Sequence, residues 1–170
     1  MTRVLVAGIG NELFGDDGFG VAVVQALLVR ERQAPVRRGA EVTLMNAGTR
    51  GFDLACALSD GYDAAILIDA APRGRAPGTL YVLDPARTEP SSSGLDAWFD
   101  PHRLEPGRAL GLARAQGAPL AQVFVVGCEP AEQLEMSDQL SPAVAAAVEP
   151  AIQEVERLIR ELSGTEALDA

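Results

Sequence analysis

RVLVAGIGNELFGDDG, residues 3–18, is the stretch that decides the fold. Arg3 to Gly8 is a short aliphatic run, rich in β-branched residues and closed by glycine. With no polar residue after Arg3, it reads as a strand buried on both faces. Gly8 to Gly15 is a glycine-rich turn. From Asp17 to about Arg32 the spacing becomes helical, with Val21, Val24, Leu27 and Leu28 recurring at three- and four-residue steps. Asp16 is placed to cap this helix, where a carboxylate also complements the positive helix end. Strand, glycine turn and helix in succession open a parallel α/β sheet.

The rest of the chain repeats the pattern. Pro35 and Gly39 end the first unit. Glu41 to Met45 reads as a second strand, Asn46 to Gly51 as a turn and Phe52 to Leu58 as a short helix. Ala64 to Asp69 is the most apolar strand, and it ends on an acid. Ala71 to Gly78, with its prolines and glycines, is a loop, and Thr79 to Leu83 a fourth strand. A parallel neighbour needs a connection of about a dozen residues, so this fourth strand is expected to run antiparallel at an edge.

Asp84 to Pro101 has no periodicity, and loops this long are usually functional or disordered. His102 closes it. Glu105 to Gln116 shows helical spacing through Leu110, Ala113 and Arg114. Val123 to Gly127 is a fifth strand, followed by Cys128, Glu129 and Pro130, and then by a polar loop from Glu132 to Leu140. Ser141-Pro142 starts a last helix, as a cap with proline at the first position. Its stripe is Val144, Val148, Ile152, Val155 and Ile159, and it reaches about Leu162. The expectation is one α/β domain over 1–162 with a flexible tail over 163–170. Its five-stranded, mostly parallel sheet would be covered on both faces, with ligands beyond the C-terminal strand ends.

Composition agrees and excludes. A chain of 170 residues, 48% apolar, suits one domain of ~100–200 residues. Fourteen Lys and Arg against 24 Asp and Glu give a net charge of -10. That argues against nucleic acid, which needs a basic face, and against an anionic membrane. No apolar run approaches the ~18 residues of a span. The first apolar run is too short for a signal peptide. Cys56 and Cys128 form no C-x-x-C pair, which fits a cytoplasmic protein with reduced thiols.

The turn after the first strand invites a dinucleotide reading, but Leu13 stands where the third glycine of G-x-G-x-x-G belongs. Adjacent carboxylates at Asp16 and Asp17 would also repel a pyrophosphate. Either acid can be an N-cap. Asp17 has a second reading, because Asp69 ends the third strand on the same expected rim, and His102, the one histidine, ends a loop long enough to fold back over it. Asp69 can instead cap its own loop, and a lone histidine can be incidental. Two carboxylates and an imidazole together suit a divalent first-row metal with positions left open. Nothing resembles a nucleophile elbow or H-E-x-x-H. Cys56, mid-helix among Ala and Leu, reads as a small buried apolar residue. Cys128 stands nearer the rim.

Taken together, G-x-G-N-x-L-x-x-D-D-G (8–18), I-D-A (68–70), D-P-H-x-L (100–104), G-C-E-P (127–130) and S-P-A-V (141–144) resemble the maturation endopeptidases of [NiFe] hydrogenases. The resemblance runs from Arg3 to about Leu162. It implies a three-layer αβα sandwich with a five-stranded twisted sheet. It also implies an aspartyl-type endopeptidase that removes the C-terminal extension of the hydrogenase large-subunit precursor after nickel insertion. The nickel would belong to the substrate, with no permanently bound cofactor. The family's metal-contacting residues fall on Asp17, Asp69 and His102. One departure is that many members have an acid where this chain has Asn46. A non-catalytic module that checks the precursor for nickel is the alternative. One chain per precursor suffices, so a monomer is expected.

Overall fold

The computed structural model describes residues 1–33, 39–84, 106–115, 117–118, 122–131 and 136–164. Strand β1 is Arg3–Ile9, and it leads through a 3-10 turn, Gly15–Gly18, into helix α1, Phe19–Gln33. Then come β2 (Glu41–Gly48), α2 (Gly51–Leu58), β3 (Ala64–Ala70) and β4 (Leu80–Leu83). Helix α3 (Pro106–Ala115), β5 (Gln122–Cys128) and α4 (Pro142–Leu162) complete the order.

The strands lie in the order β2-β1-β3-β5-β4. β1 pairs parallel with β2 and β3, β3 parallel with β5, and β4 antiparallel with β5, at the edge, as its short connection requires. Residue alternation splits the core into two halves. Val4, Val6, Ile66, Ile68 and Val126 meet α1 and α4 on one face. Leu5, Ala7, Ala65, Leu67, Val123 and Val125 meet α2 and α3 on the other. Two covered faces make a three-layer αβα sandwich, and they explain why the central strands are apolar at every position. Each fully buried Leu, Ile or Val there contributes about 1.5–3 kcal/mol of transfer free energy.

Three local expectations need correction. β2 extends to Gly48, so Asn46 is a strand residue opposite Gly8 and not part of a turn. Backbone pairing with β1 overrides the turn-like composition. The first helical turn is 3-10, and Asp16 makes no cap to it. Cys56 is exposed, because the short helix α2 turns Leu54, Ala55 and Leu58 inward and leaves Cys56 outside. The loop 85–101, His102 and the tail 165–170 lie outside the described residues.

Chain order reverses at β1. The chain goes from β1 outward to β2, then returns to β3 on β1's other side. In open α/β sheets such a switch point is where ligands bind, beyond the C-terminal strand ends.

Candidate active site

At that switch point the turn after β1 folds against the end of β3. Gly10 makes this possible. Its φ is +119°, and a Cβ there would stand 1.8 Å from the Asp17 carbonyl oxygen and 3.6 Å from Asp69 Oδ1. Only glycine allows both the conformation and the approach. Further back, Gly20 lets α1 pack onto the strands, since a Cβ there would meet the Ile68 carbonyl oxygen at 2.1 Å.

The two rim acids therefore border one short stretch, Gly10–Asn11. Asp17 Oδ2 accepts the Asn11 N–H at 2.7 Å. Asp69 Oδ1 accepts the Ala70 N–H at 2.9 Å. Both side chains are half-buried, partly open to an outside partner. Asn46, also half-buried, lies two residues before the end of the neighbouring β2, where its Oδ1 would lie 3.6 Å from a Cβ on Gly48. Strand alternation sets Asp69 on the face of Ala65 and Leu67, the one covered by α2 and α3.

Asp16 does different work from its neighbour. Its carboxylate is buried and reaches far along the chain. Oδ1 accepts the Ser141 N–H at 2.6 Å. Oδ2 accepts the Ala131 N–H and the Ser141 hydroxyl, each at 2.9 Å. It ties the start of α4 and the exit of β5 to the 3-10 turn that carries Asp17.

Glu129 is a second buried acid, and sequence reasoning assigned it no role. Its carboxylate accepts the Arg73 N–H at 2.7 Å, the Gly74 N–H at 3.0 Å and the Tyr81 hydroxyl at 2.5 Å. Burial pushes its pKa up, but the Tyr81 hydroxyl and the N–H groups of Arg73, Gly74 and Arg75 outweigh it, and the net shift is downward. Burial, together with Glu129, pushes the Tyr81 phenol up to about 12. The available signal was an acid just beyond an apolar strand, two residues past Gly127, the β5 partner of Asp69.

The cysteines supply no nucleophile. Burial raises the Cys128 thiol to about 12, helped by Asp16 and Glu129, so it stays protonated at neutral pH. Cys56 sits on the exposed side of α2. Among the described residues no three His, Cys, Asp or Glu side chains gather closely enough to hold a metal ion. Two of the three expected ligands are on one rim, and the third, His102, lies outside the described residues.

The family model for hydrogenase maturation proteases matches residues 21–158. The chain is 34% identical to the hydrogenase 2 maturation protease of Escherichia coli, over 98% of this chain and 95% of that protein. The chain belongs to the hydrogenase maturation protease family. It is a peptidase of hydrogenase maturation. The hydrogenase expression/formation protein HupD of Rhodobacter capsulatus is also 34% identical, over 93% of this chain and 71% of its own length. The fold agrees with the maturating endopeptidase HybD of E. coli, at a TM-score of 0.68 and 30% identity, covering 94% of this chain and 93% of that one. Among the described residues no helix of this maturation protease is long and apolar enough to cross a membrane.

Proposed function

We propose that this maturation protease removes the C-terminal extension of a [NiFe]-hydrogenase large-subunit precursor after nickel has been inserted, and that Asp17, Asp69 and His102 fill open positions on the substrate's nickel. The observation that carries this reading is the convergence of Asp17 and Asp69 on Gly10–Asn11, at the switch point of the sheet. Its second support is chain position. Helix α3, on the Asp69 face, begins at Pro106, four residues after His102. Two carboxylates and an imidazole form a donor set suited to a divalent first-row metal.

The enzyme's part is then mainly positioning. Holding nickel fixes the scissile peptide beside it, a contribution that can be large. In hydrolysis a water oxygen bonds to the carbonyl carbon, the C–N bond breaks, and the leaving nitrogen takes up a proton. Nickel can act as the Lewis acid, and a carboxylate off the metal can act as the base. In this reading no metal is resident, and the enzyme works as a cytoplasmic monomer, one chain per precursor.

The test is purified protein mixed with nickel-loaded precursor. Loss of the C-terminal peptide, seen as a mobility shift, is expected with the native chain and not with His102→Ala, whose fold should remain intact. Normal processing by His102→Ala would overturn the assignment. So would a Cd²⁺ soak that places metal away from Asp17, Asp69 and His102.

A further inference from the structure

Two buried carboxylates stand just behind the rim and take no part in the proposed chemistry. Among the described residues Asp16 and Glu129 are the only charged side chains that are buried, at 4% and 5% exposure. They hold one three-residue segment, Glu129-Pro130-Ala131, at its two ends. At one end the Glu129 carboxylate collects Arg73 N–H, Gly74 N–H and the Tyr81 hydroxyl. Successive N–H groups around one carboxylate make an anion nest, here filled by the protein itself. At the other end the Ala131 N–H goes to Asp16.

Each grip lies next to a rim acid. The loop held by Glu129 leaves directly from β3 and Asp69. Its backbone is tied to the same segment: the Ala71 N–H donates to the Cys128 carbonyl, and the Gly78 N–H to the Glu129 carbonyl, both at 2.8 Å. Asp16 precedes Asp17 in the 3-10 turn, and Gly15 N–H is anchored on the Ser137 carbonyl at 2.7 Å. Pro130, between the grips, has its φ fixed by its ring.

We propose that Glu129-Pro130-Ala131 is a strut that sets the spacing between Asp17 and Asp69, with Asp16 and Glu129 as its two positioning residues. The inference rests on the reading that Asp17 and Asp69 act together on one metal. The physical need is plain. Before the cation arrives, two rim carboxylates repel each other, and a site must hold its groups to within about 0.5 Å to work. Asp17 and Asp69 sit on different elements, the 3-10 turn and β3. The strut supplies the long-range brace between those elements.

The test uses the full chain, with Cd²⁺ titration by calorimetry and cleavage kinetics on nickel-loaded precursor. Glu129→Gln must turn an amide N–H₂ toward a backbone N–H or the Tyr81 hydroxyl. Asp16→Asn faces the same conflict at Ala131 or Ser141. Each is expected to weaken Cd²⁺ binding and lower kcat roughly tenfold, as loss of outer-shell support does, with KM nearly unchanged. Tyr81→Phe keeps the ring, stays folded if Glu129→Gln does not, and should show a smaller loss in the same two readouts. The double variant Asp16→Asn with Glu129→Gln should be no worse than the weaker single, because a brace cut at one end transmits nothing.

Four results would overturn the strut. One is native Cd²⁺ affinity and kcat in folded Glu129→Gln or Tyr81→Phe, with only the melting temperature lowered. Another is a double variant whose losses multiply. The third separates the two readings: Asp17→Asn and Asp69→Asn losing Cd²⁺ while Glu129→Gln keeps it removes the strut and leaves the site standing. If Asp17→Asn and Asp69→Asn bind Cd²⁺ like the native chain, the site reading falls, and the strut with it.

Discussion

Asp16 and Asp17 are neighbours in sequence and opposites in surroundings. Asp16 is buried and takes donors from Ala131 and twice from Ser141, 115 and 125 residues away. Asp17 is half-buried and, among the described residues, accepts one hydrogen bond, from Asn11, six residues away. The same contrast recurs across the sheet between Glu129, enclosed by donors, and Asp69 on the rim. A carboxylate saturated by N–H and O–H groups serves the fold. One that is half-buried stays partly open to solvent. The protease uses both kinds, one residue apart.

The largest expected effect breaks the contrast on the rim side. Asp17→Asn or Asp69→Asn should lower precursor cleavage more than about a hundredfold, since even a 1 Å misplacement can cost that much. Stability should move by no more than about 1 kcal/mol, the worth of a single exposed-side hydrogen bond. Full activity in either variant would leave the rim acids without a role.

The buried side predicts the reverse. Asp16→Ala strands the Ala131 and Ser141 N–H groups and the Ser141 hydroxyl, and a stranded buried donor costs about 1–3 kcal/mol. A loss of about 3 kcal/mol in urea unfolding is expected, or roughly 6–12 °C in melting temperature for a domain of this size. Asp17→Ala beside it should barely shift the curve. Equal losses in the two would erase the distinction.

Metal binding sharpens the comparison further. A histidine must be neutral to ligate, so Cd²⁺ affinity should fall as the pH is lowered. His102→Ala should weaken binding and remove that limb. A limb that survives in His102→Ala would assign it to another group.

Much of the fold was legible because it rests on local signals. Apolar runs of strand length, a connection too short for a crossover, and Ser141-Pro142 each specify a nearby structure. Asp69 was legible as a rim acid for the same reason, being an acid near the end of a buried strand. What escaped depends on distant partners. The capping signal at Asp16 cannot be told, in sequence, from a carboxylate that reaches Ser141. Asn46 looks like a turn residue until β1 supplies a parallel partner. Glu129 lay unread because its donors, Arg73 and Gly74, are more than 50 residues earlier. Cys56 was misread because a helix as short as α2 carries too few turns to show which face is outward.

The smallest expected effect tests the Glu129–Tyr81 bond from both ends of the pH scale. The folded pKa of Glu129 lies below its ordinary 4.5. Its contribution is therefore present above pH 4.5 and lost as pH falls through the lowered value. Tyr81 is raised from 10.0 to about 12. Its contribution is present below pH 10 and lost as pH rises through about 12. One hydrogen bond thus weakens on an acid limb and on an alkaline limb. Urea midpoints measured against pH should show a shallower acid limb in Glu129→Gln and a shallower alkaline limb in Tyr81→Phe. The alkaline limb should not vanish, because the Cys128 thiol, raised from 9.0 to about 12, titrates over the same range. Limbs as steep in the variants as in the native chain would mean that the pair does not bear on stability, and that the loop after Asp69 is held by its backbone alone.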